Sequence, residues 1–526
     1  MTDNCNEPPV LVGEEDLRLW QDVPKCERSP FIHRFQTAGN KYVYDVNTRR
    51  IIRVLPAVWD VLDDYGALDE ERIVRKYAPV HGKDQIAAAM GEIERVRQDQ
   101  GIFLSFRPRK VVLPREESVR SQLDSCREQL ILNVTEACNF RCTYCAYGGS
   151  YPGFRTHSTR AMPWEVARRA IDEFLAHSGR TQDRAISFYG GEPLLSFPLI
   201  RQCVLYVKNG HPDAKVRFSV TTNGSLLEGE VAAFLAAEHF LIVVSLDGPQ
   251  EIHDRHRLTA FGRPSWAKVF GNVKAFLSVH PEYRSNASIR FSAVAPPSAD
   301  LRQAQEFWGA CEVFTDSMGL EISEQKQALG AAGPLLPDDP LVVSGRAIHK
   351  EFVEALKSGR MAEEHDRKSR WVQTASFQRP LAILHRRQFL SPHLPGTMTF
   401  LTGCVPGVRR LFVSTDGEYF ACERVLACPE QLIGDVHNGV SLDRVMALLD
   451  KWAKASEDQC RFCWCLSHCN AGCLASLDEG GAITVAAKKR LCARYRRHMH
   501  HLLREYVGVL EENPKAFDYT EKFQFQ

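Results

Sequence analysis

The sequence predicts an α/β protein built on a partial (β/α)6 barrel, with a small α+β unit ahead of it and a cysteine-rich region behind it. Three observations lead there. Strand-like apolar runs alternate with amphipathic helices between residues 128 and 330. Three short strands followed by three helical patterns fill residues 30–107. Most of the 17 cysteines gather in two groups, at residues 138–145 and 404–492. A chain of 526 residues, 44% of them hydrophobic, has material for more than one core, since a single core stops growing near ~250 to 300 residues.

Residues 1–29 read as an N-terminal tail. Phe31-Ile-His-Arg-Phe-Gln, Lys41-Tyr-Val-Tyr-Asp-Val and Arg50-Ile-Ile-Arg-Val-Leu are strands parted by the turn pairs Gly39-Asn40 and Asn47-Thr48. Pro56 opens a helix with Val58, Leu62 and Tyr65 on one face, and a second helix covers roughly 69–77. A third, 84–100, carries Ile86, Met90, Ile93 and Val96 at helical spacing. That order of elements is winged-helix-like. Residues 108–127, rich in Arg and Glu, read as a linker.

Barrel strands are expected at 130–134, 185–189, 216–220, 241–246, 288–294 and 320–323. The helices between them fall at 164–177, 199–208, 231–238, 266–279 and 301–314; the first shows Val166, Ala170, Ile171, Phe174 and Leu175 on one stripe. Alternation of this kind implies a parallel sheet. Residues 331–400 read as a helical bridge, 401–500 as a cysteine-rich domain of short elements and 501–526 as a polar C-terminal tail.

Lys plus Arg, 66, and Asp plus Glu, 65, cancel, which removes the basic field that nucleic-acid phosphates or anionic lipid require. No nucleic-acid and no membrane partner is expected. The opening Met1-Thr-Asp-Asn-Cys lacks a secretory pattern, and no apolar run reaches the ~18 residues of a membrane span. A cytoplasmic location is therefore expected, where cysteines stay reduced and their clustering points to metal or catalysis. The scattered Cys5, Cys26, Cys126, Cys203 and Cys311 read as small apolar residues.

Cys138-Asn-Phe-Arg-Cys142-Thr-Tyr-Cys145 follows directly on the first barrel strand, at the face where barrel active sites lie. Three thiolates can hold a [4Fe-4S] cluster and leave one iron free for a ligand. A zinc site with this spacing is the bland alternative, and the next strand ends weaken it. Gly190-Gly191-Glu192-Pro193 ends the second strand, its glycines permitting close backbone approach and its carboxylate able to accept from an ammonium. Thr221-Thr222-Asn223-Gly224 ends the third and Ser245-Leu246-Asp247-Gly248 the fourth, both polar turns.

Together these motifs resemble the radical S-adenosylmethionine (SAM) enzymes. The resemblance implies that SAM chelates the free iron of a cluster held by Cys138, Cys142 and Cys145, and that one electron cleaves it to a 5'-deoxyadenosyl radical. It places the SAM amino group at Gly190, Gly191, Glu192 and Pro193, and ribose and methionyl contacts at Thr222, Asn223, Ser245 and Asp247. The SAM carboxylate falls to Arg257 in Glu251-Ile-His253-Asp254-Arg255-His256-Arg257, arginine's fork suiting a carboxylate. His253 and Asp254 are equally well read as a loop that positions that arginine.

In the second group Cys404 is followed by Gly417 after twelve residues and Cys422 after four more. Cys460-x2-Cys463-x5-Cys469-x3-Cys473 comes next, then Cys492 after eighteen. Zinc explains four of these cysteines; the whole pattern resembles the SPASM domain. The resemblance implies two auxiliary clusters, one on Cys404, Cys422 and Cys473 and one on Cys460, Cys463, Cys469 and Cys492, for three [4Fe-4S] clusters in all. The first auxiliary cluster lacks a fourth ligand, for which Cys428 and Cys465 are candidates, though both also read as spare thiols. Glu423 occupies the place of an acidic proton acceptor in related sulfatase maturases, and reads equally as a carboxylate paired with Arg424 or a neighbour.

The unit at 30–107 resembles the PqqD-like peptide-recognition element, in which a precursor's leader adds a strand to a sheet edge. A generic winged-helix unit is its alternative. The whole chain then resembles peptide maturases acting on ribosomally made precursors. The expected partners are a precursor peptide, bound through its leader, and a flavodoxin- or ferredoxin-type electron donor. The expected product is a Cys sulfur-to-carbon thioether. Carbon–carbon or carbon–oxygen crosslinking and formylglycine formation use the same cysteines, and an iron-sulfur scaffold without catalysis is the non-enzyme alternative.

Overall fold

The computed structural model describes residues 28–149, 155–315, 318–324, 336–360, 374–387, 394, 397–399, 404–425, 427–469, 473, 478–479, 482–518 and 520. The N-terminal unit is an antiparallel sheet, β1 (Ile32–Gln36), β2 (Lys41–Asp45) and β3 (Ile51–Val54), paired in that order. Three helices follow, α1 (Pro56–Val61), α2 (Glu70–His81) and α3 (Lys83–Gln100). The Asp69 side chain caps α2 by accepting from the Arg72 amide, 2.9 Å away. Gly101, at φ +64°, ends α3 in the left-handed conformation that glycine adopts freely. One face of the sheet packs on these helices through Val43, Val58, Val61, Ile86 and Ile93. Phe35, Tyr42 and Tyr44, all buried, belong instead to a core shared with Leu503, Tyr506 and Val507. That second core fixes the small unit to the far end of the chain.

Residues 108–127 are not a linker. They form β4 (Lys110–Val112) and α4 (Glu116–Ser125), because Val119 and Leu123, four residues apart, put an apolar stripe on one side of a charged helix and both are buried in the main core. The barrel strands then run β5 (Gln129–Thr135), β6 (Arg184–Gly190), β7 (Val216–Thr222), β8 (Leu241–Ser245), β9 (Ile289–Ala295) and β10 (Gly319–Glu324), parallel and neighbouring in sequence order. Their crossovers are α5 (Trp164–Ala176), α6 (Phe197–Gly210), α7 (Gly229–Ala237), α8 (Gln250–His256), α9 (Trp266–Val279) and α10 (Leu301–Ala310). Leu132, Val134, Phe188, Val220, Val244 and Phe291 are buried between sheet and helices.

The sheet does not stop at six strands. After α11 (Pro340–Lys357) and the helix Arg379–Arg387, β11 (Thr397–Thr399) pairs in parallel with β4. Then β12 (Leu411–Val413) lies parallel to β5, with Leu411 opposite Leu130. Beyond β12 the sheet continues antiparallel through β13 (Glu418–Phe420), β14 (Leu432–Asp435) and β15 (Gly439–Val440), making ten strands. The strands between residues 411 and 440, the first part of the expected cysteine-rich domain, therefore share the barrel's sheet; the edge amides and carbonyls of β5 find partners in β12. Residues 501–518, within the expected C-terminal tail at 501–526, are not a tail either. The helix Val485–Glu512 runs through them with Leu503, Tyr506, Val507 and Val509 buried, and Ala516 and Phe517 are buried after it. Residues 1–27 of the N-terminal tail expected at 1–29 lie outside the described residues. No described helix is long and apolar enough to cross a membrane.

Candidate functional site

The strand ends of β5 to β8 converge on the loop that carries the first cysteines. Cys138, Cys142 and Cys145 are half-buried there. Burial pushes the Cys138 thiol up to about 12, and the neighbouring Glu192, Cys142 and Cys145 add to it. The Cys142 thiol is raised to about 11 by burial and eased downward by Arg257. Main-chain bonds run from this loop to residues 256–260: Arg141 donates to Leu258, Thr143 to His256, and Ala260 to Asn139.

Gly190 and Gly191 serve this loop before any ligand. A Cβ on Gly190 would stand 2.2 Å from the Thr135 carbonyl oxygen, and one on Gly191 2.2 Å from that of Ala137. Their amide-side neighbours close the contact, Gly191 donating to Thr135 and Glu192 to Ala137, each at 2.8 Å. The expected close backbone approach is thus made by the cysteine loop itself. Pro193, buried, opens the turn that follows.

Glu192 is fully buried. Its Oε1 accepts from Thr222 Oγ1 at 2.7 Å and the Leu194 amide at 3.1 Å, and its Oε2 from the Asn223 amide at 2.7 Å. Burial dominates over these bonds and raises the carboxyl to about 7. Asn223 continues the network by donating to Asn139 between the first two cysteines, at 2.8 Å, and Asn139 donates to Ser225. Thr222, Asn223 and Glu192 therefore lock the ends of β6 and β7 to the cysteine loop.

At the end of β8, Ser245 is half-buried and Asp247 almost wholly buried. Asp247, expected at a ligand contact, has its carboxylate engaged by the protein. It accepts from the Tyr144 hydroxyl and the Val294 amide, and pairs with Arg257 at 3.0 Å. Arg257 is buried with its Nε unpartnered among the described residues. His253 is held neutral, burial taking it down to about 4. It lies 3.0 Å from Ser265 Oγ, which donates to the Arg257 carbonyl, while Asp254 accepts from the Ser265 and Trp266 amides. Both act on the loop that holds the arginine. Beside Asp247 lies a small cleft lined by Ala293, Val294, Ala295 and Trp308 among others.

The second group divides in space. Cys460 is raised to about 12, chiefly by burial and further by the nearby Cys463, Cys492 and Cys469. Cys463 is held down to about 6, chiefly by a hydrogen bond with Cys465 and then by Arg496. Cys465, offered above as a ligand with Cys404 and Cys422, sits with the four instead, fully buried beside Cys463 and Cys469. Cys404 and Cys422 stand near one another, burial raising Cys422 to about 11 with Glu423 and Cys404 adding to it. Cys428 is bonded to Glu430. Among the described residues no three His, Cys, Asp or Glu side chains converge closely enough to hold a single metal ion. Of the scattered cysteines, Cys203 is buried in the main core and Cys126 and Cys311 pack against it; Cys5 and Cys26 lie outside the described residues.

Glu423 joins the two regions. Its Oε1 pairs with Arg410 at 2.7 Å, its Oε2 has no partner among the described residues, and its main-chain oxygen accepts from Arg155 at 3.3 Å. Arg155, buried, stacks its guanidinium 3.9 Å above the Phe412 ring centroid. Sequence reasoning missed Asn139, Tyr144 and Arg155, of which the first two lie between motif cysteines and were legible by position.

Residues 132–284 match the model of the Radical SAM superfamily. This stretch is a radical SAM domain. The cysteine-type anaerobic sulfatase-maturating enzyme of Clostridium novyi (strain NT) is 31% identical over 156 residues, 29% of this chain and 41% of that protein. The matched stretch spans about two fifths of the length of the first such relatives. The serine-type anaerobic sulfatase-maturating enzyme of Klebsiella aerogenes is 22% identical over 386 residues, 71% of this chain and 84% of that one. The solved structure "Native anSMEcpe with bound AdoMet" superposes with a TM-score of 0.50 at 17% identity, over 75% of this chain and all of that one, a likeness of fold. The radical SAM domain contains the strand ends just described. Three grouped thiols and an orphaned Arg257 Nε beside them are a donor set suited to a [4Fe-4S] cluster and a carboxylate ligand.

Proposed function

We propose that the chain is a radical SAM enzyme that cleaves SAM reductively and modifies a ribosomally made precursor peptide by forming a Cys sulfur-to-carbon thioether. One observation carries the reading: the segments that follow Cys145 and Cys422 meet where Arg155 donates to the Glu423 main-chain oxygen and stacks on Phe412 of β12, the strand paired with β5. Two cysteine-bearing regions so joined suit one reaction chamber fed by a SAM cluster on Cys138, Cys142 and Cys145. Two auxiliary clusters complete three [4Fe-4S] clusters, one on Cys404, Cys422 and Cys473 and one on Cys460, Cys463, Cys469 and Cys492. When bound, a reduced cluster would supply one electron to the SAM sulfonium, and the chemistry so supplied, cleavage of a carbon–sulfur bond to methionine and a 5'-deoxyadenosyl radical, would provide the hydrogen abstraction.

The chain's own residues place the ligands. Glu192 offers a buried carboxylate to an ammonium, Gly190, Gly191, Pro193, Thr222, Asn223 and Ser245 shape the pocket, and Asp247 orients Arg257 toward a carboxylate. Glu423 Oε2 is free to take the proton that a peptide thiol or carbon releases. The N-terminal unit is read as the peptide-recognition element. β3 is an edge of its sheet, with Arg53 exposed and Ile51, Ile52 and Val54 half-buried, and strand addition there would hold the leader.

The test is anaerobic reconstitution, in which wild-type protein forms 5'-deoxyadenosine and the Cys138→Ala, Cys142→Ala and Cys145→Ala variants form none; persistent cleavage in the variants sinks the assignment. Co-expression with a small Cys-rich reading frame encoded beside it should yield a peptide lighter by two hydrogens per bond and depleted of free thiols. A second reading, formylglycine formation on a sulfatase, is favoured by the names of the relatives; an aldehyde on a sulfatase peptide, with thiols intact in the co-expressed peptide, selects it.

A further inference from the structure

Two cations flank the last cysteine of the second group. Lys488, Cys492 and Arg496 follow one another at intervals of four on the helix Val485–Glu512, so they share one face of it. Lys488 is 1% exposed, an uncommon place for an ammonium. Its Nζ lies 5.1 Å from the ring centroid of Trp452. Trp452 is itself fully buried, on the helix Leu442–Cys460, whose last residue is a cysteine of the same set. Arg496, half-buried, donates to the Cys463 sulfur. One residue earlier, the Tyr495 hydroxyl donates to the His468 carbonyl at 3.0 Å, which ties this helix to the loop between Cys463 and Cys469.

The two auxiliary sets differ in the charge that stands beside them. Among charged neighbours other than thiols, Lys488 acts most strongly on Cys460 and Cys492, and Arg496 on Cys463. At Cys422 the foremost charged neighbour is the Glu423 carboxylate. Reduction of a [4Fe-4S] cluster adds one negative charge, and the potential follows the net charge around it and the hydrogen bonds to its sulfurs. A fixed cation therefore favours the reduced form, the more so away from water, where screening is weak.

We propose that Lys488 and Arg496 set the reduction potential of the cluster on Cys460, Cys463, Cys469 and Cys492, raising it above that of the cluster on Cys404, Cys422 and Cys473. The inference rests on the three-cluster reading. When the two auxiliary clusters compete for an electron, the one between the cations is reduced first. It takes up one electron, no bond forms or breaks, and both cations keep their charge.

The test uses full-length protein with Cys138, Cys142 and Cys145 replaced by Ala, reconstituted anaerobically with iron and sulfide, so that only the auxiliary sets report. Iron analysis and Mössbauer spectra of this parent decide the cluster reading. Titration with dithionite and mediator dyes, followed by electron paramagnetic resonance, should then give two one-electron waves, of which Cys422→Ala removes the lower. Lys488→Met and Arg496→Gln should each make the upper wave about 10-fold harder to reduce, a shift of about 59 mV to more negative potential for one electron. Iron content and the lower wave should not change. Lys488→Arg, which keeps the charge, should stay within about 3-fold of the parent. The parent's potential in both charge-removing variants overturns the proposal. So does an equal shift in Lys488→Arg, which assigns the lysine to packing, or loss of the upper wave in Cys422→Ala. If Lys488→Met fails to hold iron, the half-buried Arg496→Gln still decides. A parent that binds no iron sinks the cluster reading itself, an outcome separate from intact clusters with unmoved potentials.

Discussion

Glu192 shows how much of the site rests on single side chains. It is a carboxyl with no solvent, no cationic partner and three donors, and burial lifts it from 4.5 to about 7. The folded state therefore holds a proton that the unfolded chain gives up near 4.5. Its contribution to stability is complete below that value and is lost as pH rises through about 7. Denaturant unfolding at pH 5 and pH 7.5 should show this loss, by roughly 2 to 4 kcal/mol, and Glu192→Gln should remove it. An unchanged pH profile in the variant would show that the donors already hold the carboxylate charged. His253 works in the opposite sense, its stability present above 6.5 and lost as pH falls through about 4, so the difference between variant and wild type is the informative quantity. The Gly-Gly-Glu-Pro motif was plain in the sequence, yet its glycines turned out to meet main-chain oxygens of the cysteine loop, which spacing along a chain cannot reveal. Gly191→Ala should accordingly displace that loop. Iron analysis and cluster spectra should show the first cysteine set depleted and the Cys460 set intact, whereas equal loss from both would point to general misfolding.

Among the elements, the expected barrel strands and their helices appear within a few residues of where alternation placed them, because buried parallel strands read as short apolar runs bounded by turns. The misjudged elements were the charged ones. In α4 only Val119 and Leu123 face inward, and average polarity hides a two-residue stripe. Leu123→Ala should cost about 2 to 5 kcal/mol, measurable as a lowered unfolding midpoint, while a solvated linker would show no change. The end of the chain was misread for the same reason. Leu503 is fully buried on a helix that carries Arg504 and Glu505 beside it, so Leu503→Ala should destabilise by a similar amount.

Across the whole molecule, the N-terminal unit is tied to the second cysteine group. His33 of β1 stacks on Trp464 at 3.6 Å between centroids, and Trp464 lies between Cys463 and Cys465. His33 Nε2 also meets His500 Nδ1 at 2.9 Å, the Tyr44 hydroxyl meets Ser467 at 2.5 Å, and Glu511 accepts from Thr37, Asn40 and Tyr42. Aromatic pairs add about 0.5 to 1.5 kcal/mol beyond their burial. Trp464→Ala should therefore loosen the sheet, seen as faster amide exchange at β1 and β2 with α1 to α3 unaffected. Uniform exchange behaviour would mean that the unit is held elsewhere.

The sequence by itself marked out the residues of the first site. Its three cysteines lie within eight residues, and each supporting motif is a strand-end turn whose position follows from local periodicity. It likewise determined that the second group exceeds what a single zinc ion requires. Only the tertiary structure decided that β12 joins β5, that Cys465 sides with Cys460, and that Asp247 is spent on Arg257. These outcomes depend on contacts between residues far apart in the chain, such as Leu130 with Leu411 and Arg155 with Glu423. Hydrophobic pattern says which side of an element is buried, and leaves open which partner covers it.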